Sequence, residues 1–390
     1  LIYSGNHYEA LEKAKKKTGG SIMSIKVVSL FSGGGGLDLG FQKAGYEIIW
    51  AIDNNKNAVA TYKENIGNHI ICADINKIDL AMIPNADVVI GGPPCQSFSL
   101  AGKRNVEDER GQLVWRYIEI IRHVKPKAFV FENVMGLLSA KNKNGEKIFE
   151  LLKRAFCDIG YNIESMVVNA ADYGIPQRRK RVLIVGVNNG KEFAFPSPTH
   201  NESGTGLKKY VSVKEALDDL PEAILNENGI VHYRCEAEND YQRKMRTNQG
   251  VTEHFMPKMS ELDKYIVSHV RPGGNYMDIP PDVKSERIRR LQREGGHTTC
   301  YGRMSPDEPS YTINTYFNRP NVGCNIHYAE NRLITVREAL RLQSFPDSYK
   351  IVSSSKQGRN LIVGNAVPPL MAEIIANQLK KHLKEEENND

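Results

Sequence analysis

Lys26-Val27-Val28-Ser29-Leu30-Phe31-Ser32-Gly33-Gly34-Gly35-Gly36 runs from an apolar, β-rich stretch into four consecutive glycines. The spacing that follows, Leu37 to Ala44, is helical, so the segment reads as strand, tight turn and helix. Ile48-Ile49-Trp50-Ala51-Ile52 is a second strand and ends in Asp53. A helix is expected from about Asn55 to Asn65, then a short strand from His69 to Cys72, followed by Asp74. Ala86-Asp87-Val88-Val89-Ile90 and Ala128-Phe129-Val130-Phe131 are buried-type strands, and the latter delivers Glu132 and Asn133 to its end. Helices are expected over Gln112–His123 and Lys147–Cys157, with a further strand at Val182–Gly186. Repeated β-α alternation predicts an α/β fold with a doubly wound, mostly parallel sheet. Its ligand crevice lies at the carboxyl ends of the strands, where Gly33–Gly36, Asp53, Asp74, Cys95 and Glu132 all fall.

With 390 residues, 40% of them hydrophobic and 25% charged, the chain can bury a substantial core. No apolar run is long enough to span a bilayer, and the lysine-containing start carries no apolar stretch suited to secretion. Six cysteines show neither a C-x-x-C pair nor the histidine spacing of a zinc site, which predicts free thiols in a reducing cytoplasm and no metal. The net charge of +6 is compatible with a polyanionic partner without requiring one.

Gly91-Gly92-Pro93-Pro94-Cys95-Gln96-Ser97 follows a strand, and its two prolines stiffen the backbone just before a thiol. That presentation suits a nucleophile; the plain alternative is a buried cysteine acting as a small hydrophobe. The glycines are spaced Gly34-x-Gly36-x-x-x-Gly40, which is neither the G-x-G-x-x-G of NAD enzymes nor a phosphate loop. An adenosine-containing cofactor other than NAD fits, with S-adenosyl-L-methionine the leading candidate; purely structural glycines are the alternative.

Five motifs occur in one order: Phe31-Ser32-Gly33-Gly34-Gly35-Gly36, Gly92-Pro93-Pro94-Cys95-Gln96-Ser97-Phe98-Ser99, Phe131-Glu132-Asn133-Val134, Gln177-Arg178-Arg179-Lys180-Arg181 and Gly364-Asn365-Ala366-Val367-Pro368. The order resembles the cytosine-C5 DNA methyltransferases, over roughly 25–200 and 326–385. Asp108-Glu109-Arg110-Gly111 and Leu333–Ala339 through Phe345-Pro346-Asp347 match secondary motifs of that family. The resemblance implies a Rossmann-like, S-adenosylmethionine-dependent domain over 24–196, an irregular target-recognition domain over 197–325, and a return to the catalytic domain over 326–390 with a helix from about Pro369 to Leu383. Residues 1–23 are expected to be an N-terminal extension.

By that resemblance, Cys95 adds to C6 of a flipped-out cytosine and so activates C5, since thiolate is the attacking form. Glu132 meets N3 and the exocyclic amine in protonated form, and Arg181 grips O2, assisted by Arg179. For Glu132 the plain alternative is a salt bridge at a strand end, and Arg178 and Lys180 read best as a solvated basic run. In the cofactor pocket Phe31 flanks the adenine or methionine portion and Gly33, Gly35 and Gly36 form the cradle. Asp53 takes the ribose, Asp74 and Ile75 the adenine, and Pro93, Asn365 and Ala366 close the pocket. Asp53 stands where the family more often has glutamate.

DNA contacts are expected from Ser97, Lys103 and Arg104 in the loop after Cys95, and from Arg303, Thr312 and Arg319 in the recognition region. That region is not basic overall, but carries Arg243-Lys244-x-Arg246 and Lys284-x-x-Arg287-x-Arg289-Arg290-x-x-Arg293. The second patch has helical spacing and reads equally as a backbone-tracking surface or a solvated helix face. The implied partner is double-stranded DNA, bound by a monomer, with a cognate restriction endonuclease acting separately in a bacterial or phage-encoded system. A transfer-RNA cytosine-C5 methyltransferase and a catalytically inactive DNA-binding module are the alternatives. An amino-methyltransferase is disfavoured because Cys95 follows the proline pair where an aromatic residue would be wanted.

Overall fold

The computed structural model describes residues 24–94, 109–142, 144–188, 190–225, 229–233, 235–246 and 250–387. Cys95, Ser97, Lys103 and Arg104, and the extension at 1–23, lie outside the described residues.

The strands are β1 (Lys26–Leu30), β2 (Glu47–Asp53), β3 (Ile70–Cys72), β4 (Val88–Gly91), β5 (Ala128–Asn133), β6 (Asn162–Asn169) and β7 (Lys180–Val187). They form one seven-stranded sheet in the order β3-β2-β1-β4-β5-β7-β6. The first five are mutually parallel, while β7 runs antiparallel to both its neighbours. Strand order reverses between β1 and β4, so the two strands that carry the glycine turn and the Gly-Gly-Pro-Pro segment are adjacent there. β6 is the one strand of this seven-stranded sheet that the sequence reading lacks. Its residues Asn162, Glu164 and Ser165 break the apolar run, because as an edge strand it buries only part of its length.

Helices pack on both faces: α1 (Gly36–Lys43), α2 (Lys56–Asn65), α3 (Glu109–Val124), α4 (Ile148–Cys157), α5 (Val336–Leu342), α6 (Lys356–Asn365) and α7 (Pro369–Glu387). Alternate residues of β1 feed opposite layers. Val27 packs with Phe41 of α1 and Ile375 and Leu379 of α7, and Val28 with Val114 and Ile118 of α3 and Leu152 of α4. Thus α7, the last helix of the chain, closes the same layer as α1.

After β7 the alternation stops. Short helices at Val213–Leu217, Asp240–Met245, Glu261–His269 and Glu286–Glu294 are joined by irregular chain. Ile266, Val267, Tyr276, Ile279, Val283 and Ile288 form a small core of their own. Val213, Leu217, Ile313 and Phe317 instead pack with Leu340, Phe345 and Val363 from α5, α6 and their connection. Inside that contact Arg341 is fully buried and forms ion pairs with Asp219 at 2.8 Å and Asp347 at 2.5 Å.

The α1–α7 crossing depends on Gly40. A Cβ there would lie 2.4 Å from Ala372 Cβ and 2.5 Å from the Pro369 carbonyl oxygen, neither of which is the tip of a flexible side chain. Gly40→Ala is expected to lower the unfolding free energy by about 1–3 kcal/mol, the usual cost of overpacking. Denaturant titration would read this as a lower midpoint at unchanged slope.

Candidate active site

The glycine turn is shaped by three left-handed residues, Phe31, Gly33 and Gly35, with φ of 54°, 56° and 85°. For Phe31 that conformation is costly and holds a bulky, half-buried ring at the mouth of β1. The four glycines divide by what surrounds them. A Cβ on Gly34 would meet Tyr349 Oη at 2.6 Å, on Gly35 Ile66 at 2.7 Å, and on Gly36 the Val367 carbonyl oxygen at 2.4 Å. Above Gly33 there is open space. Gly33 therefore borders open space and is glycine for its left-handed backbone, whereas Gly35 and Gly36, expected in the cradle, are glycine because the protein packs against them.

Asp53, at the end of β2, accepts from the Gly33 N–H at 2.9 Å and the Asn55 N–H at 2.8 Å. Burial raises the pKa of its carboxyl, against the pull of these backbone donors. Asp53 thus fixes the turn, and each oxygen keeps a lone pair for a further donor. Asp74 caps the short 3₁₀ turn Ile75–Lys77 by accepting from the Asn76 N–H at 3.0 Å, and Ile75 is buried beneath it. An open backbone cradle with two carboxylates on successive strand ends is a donor and acceptor set that fits an adenosine group.

At the carboxyl end of β5, Glu132 and Arg181 are joined by Nε–Oε1 at 2.9 Å with both side chains almost buried. The pairing follows from register. Glu132 lies opposite Leu183 on antiparallel β7, so Arg181 is its diagonal neighbour on the same face. Gly92 passes so close that a Cβ would sit 2.7 Å from Glu132 Oε2. Asn133 Nδ2 donates to the Pro93 carbonyl at 3.0 Å, tying the segment that leads to Cys95 onto β5. Asn133 belongs to the E-N-V motif, but the sequence alone assigned it no task. Carbonyl acceptors across 40 residues leave no local pattern.

Arg179 does not stand beside Glu132 and Arg181 as a second base-gripping arginine. It is completely buried, and its two Nη atoms donate to the carbonyls of Ile313 at 3.0 Å, Gly364 at 2.9 Å and Ala366 at 2.8 Å. Burial and the neighbouring Arg181 oppose its charge, while Glu132 partly offsets them. Its role is to hold the Asn365–Ala366 junction and the Ile313 segment against the end of β7. Gln177 does the same from the other side, accepting from the Ile313 N–H at 3.1 Å and donating to the Leu342 carbonyl at 3.2 Å. Asn365 itself is exposed at the end of α6.

Arg303 is a second correction. Expected at a base edge, it is buried, with Nε donating to Val270 O at 2.6 Å and Nη1 to His327 O and Glu330 O, both at 2.7 Å. Nη2 donates to Val267 O and to Asn331 Oδ1. With its donors consumed inside the small core, it has none for DNA. Thr312 and Arg319 remain exposed; Thr312 Oγ1 donates to Arg178 O at 2.8 Å, and the Arg319 guanidinium lies 5.2 Å from the Tyr316 ring centre. Arg178 is ion-paired to Glu202 and Glu308. In the basic helix, Arg289 and Arg293 pair with Glu286 and Arg290 with Glu294, which supports a solvated face.

A profile of the C-5 cytosine-specific DNA methylase family matches residues 25–381. The Type II methyltransferase M.NgoFVII of Neisseria gonorrhoeae is 38% identical over 350 residues, spanning 88% of this chain and 83% of the relative. M.FnuDI of Fusobacterium nucleatum is 34% identical over 369 residues, spanning 93% and 96%. The crystal structure of a putative DNA modification methyltransferase encoded within a prophage (E. coli) matches with TM-score 0.70 at 24% identity, covering 93% of this chain and 100% of that one; it bears on the fold alone. The sheet and helices are those of an S-adenosylmethionine-dependent methyltransferase fold. The chain belongs to the C-5 cytosine-specific DNA methylase family and is a DNA cytosine-5-methyltransferase.

Two outcomes follow from this geometry. Arg303→Ala should lower the melting temperature, because it strands buried carbonyls, whereas Arg319→Ala should leave melting unchanged and weaken duplex binding with a shallower salt dependence. Asp38 of α1 is wholly buried behind the turn and accepts from Tyr62 Oη at 2.9 Å, and burial pushes its pKa from 3.8 up to about 6. Folding therefore favours its protonated form, and the stability it contributes is present below pH ~4 and lost as pH rises through about 6. Unfolding measured against Asp38→Asn should show wild type losing about 2–3 kcal/mol relative to the variant across that window.

Proposed function

We propose that the enzyme methylates C5 of one cytosine within a specific duplex sequence, through a covalent bond between Cys95 and C6 of a base turned out of the helix. The observation that carries this reading is the Glu132–Arg181 pair, held at 2.9 Å beside Gly92 and Pro93 on the segment that leads to Cys95. S-adenosylmethionine, when bound, supplies an electrophilic methyl group; the other demands fall on the chain. Cytosine C5 is a weak nucleophile until the Cys95 thiolate adds at C6 and its electron pair moves through the ring toward N3 and C5. As Arg181 turns from Glu132 toward O2, the Glu132 carboxylate takes up a proton from solvent and passes it to N3 as that charge develops. Once C5 carries the methyl group, loss of its proton to a base and expulsion of the thiolate restore the aromatic ring.

For the cofactor, Gly33, Phe31, Asp53 and Asp74 with Ile75 are the binding residues this reading assigns, with Pro93, Asn365 and Ala366 closing the pocket. Residues 24–196 and 326–390 make up the catalytic part and 197–325 the target-recognition part, with 1–23 an extension. A target inside a duplex is out of reach of a thiol, so the base must leave the stack. Ser97, Lys103, Arg104, Thr312 and Arg319 are the DNA-facing residues in this assignment. The kinship to Type II methyltransferases supports a role in a bacterial or phage restriction-modification system, in the cytoplasm, beside a separately acting endonuclease; that the enzyme acts on DNA as a monomer is part of the same proposal. Among the described residues no helix is long and apolar enough to cross a membrane.

The test uses tritiated S-adenosylmethionine with duplex DNA and, in parallel, transfer RNA. Label is expected in DNA at cytosine C5, lost completely in Cys95→Ala, and reduced about 10²–10³-fold in kcat for Glu132→Gln and Arg181→Ala. A duplex carrying 5-fluorocytosine at the target should trap wild type, but not Cys95→Ala, as a species that survives denaturing electrophoresis. Label confined to transfer RNA would overturn the substrate assignment.

A further inference from the structure

We propose that Arg116 is a positioning residue for the cofactor, holding the Asp74–Ile78 turn in the shape that presents the Asp74 carboxylate and the Ile75 backbone to adenine. The proposal rests on the assignment of Asp74 and Ile75 to the adenine made above. Arg116 lies in the second turn of α3, far from that segment in sequence. Its Nε donates to the Ile75 carbonyl at 3.1 Å and its Nη2 to the Ile78 carbonyl, while Nη1 meets Glu119 Oε2 at 2.6 Å. Its side chain is only 13% exposed. One guanidinium thus spans both ends of the 3₁₀ turn that Asp74 caps from the opposite side.

The chemistry of the fork explains why this differs from generic packing. Ile75 and Ile78 carbonyls three residues apart need two donors at a fixed separation, which a planar guanidinium supplies and an ammonium does not. Within the turn the Lys77 N–H donates to the Asp74 carbonyl at 2.9 Å and the Asn76 N–H to the Asp74 side chain at 3.0 Å, while Arg116 supplies the side-chain hydrogen bonds that tie its carbonyls to α3. Removing Arg116 frees the turn locally while Ile75, Val114 and Ile118 keep the hydrophobic layer intact. α3 is also the element that resumes the chain after the segment bearing Cys95.

The experiment is calorimetric titration of the full chain with S-adenosylhomocysteine, together with steady-state kinetics, for wild type, Arg116→Ala, Arg116→Lys and the milder Glu119→Gln. Arg116→Ala is expected to weaken S-adenosylhomocysteine binding at least about tenfold, the scale of a lost charge-assisted hydrogen bond. KM for S-adenosylmethionine should rise by a similar factor, with kcat at saturation and KM for DNA little changed. Arg116→Lys should recover part of the affinity, and Glu119→Gln should fall between it and wild type. Unchanged affinity in Arg116→Ala would overturn the proposal. So would a fall in kcat, DNA affinity and ligand-free melting temperature in step with the binding loss, which is the signature of a purely structural residue. If Arg116→Ala does not fold, Glu119→Gln binding with wild-type affinity and KM overturns it equally. Wild type that binds no S-adenosylhomocysteine would instead remove the adenine assignment itself, and the proposal with it.

Discussion

A single buried guanidinium holds the active site together. Arg179 sits at the start of β7, inside the protein, and its donors end three carbonyls that come from two distant segments, around Ile313 and across Gly364–Ala366. A charge so placed is expensive unless its hydrogen bonds are made, so the three segments are bound to assemble together or not at all. Its three hydrogen bonds and the nearby Glu132 carboxylate offset part of that cost, while the neighbouring Arg181 adds to it. Gln177 reinforces the same junction by reaching both the Ile313 N–H and the Leu342 carbonyl. Within Gln177-Arg178-Arg179-Lys180-Arg181 the two buried or nearly buried arginines therefore differ: Arg181 pairs with Glu132, and Arg179 fastens the segments behind it.

The glycine turn follows a similar division. Three of the four glycines are dictated by neighbours from α2, α6, the α5–α6 connection and the segment leading into α7, and the fourth, Gly33, by its left-handed backbone. Close packing around Gly34, Gly35 and Gly36 fixes the backbone, and Asp53 ties down the Gly33 N–H, so the one open position is presented without freedom to relax. The far end of the chain takes part in this, since Tyr349 donates to the Gly34 carbonyl at 2.5 Å and Val367 abuts Gly36. The glycine turn is incomplete until residues 315 or more positions downstream have folded back onto it.

Much of this was legible in the chain. Apolar runs ending in Asp53, Gly91-Gly92 and Glu132 marked strands whose carboxyl ends gather chemistry, and the sheet places them there. The order of five short motifs pointed to the family that the profile match establishes. Edge strand β6 was not legible, because a half-exposed strand containing Asn162, Glu164 and Ser165 has no apolar run to announce it. Arg303 was misread for a related reason: arginine in a polar, turn-rich stretch looks solvent-facing. Whether its five donors are free depends on carbonyls contributed by Val267, Val270, His327 and Glu330.

Sequence by itself determined the alternation of strand and helix, the reactive residue types and their order, because local periodicity and short motifs are properties of neighbouring residues. Only the tertiary structure decided which of those residues meet one another and which have their donors consumed inside the protein. Glu132 meets Arg181 through antiparallel register, and Asn133 reaches Pro93 across adjacent strands. Arg179 and Arg303 are withdrawn from chemistry by carbonyl acceptors far away in the chain. An arginine's role is set by the acceptors around its guanidinium, and those are brought together by folding, not by neighbouring positions in the sequence.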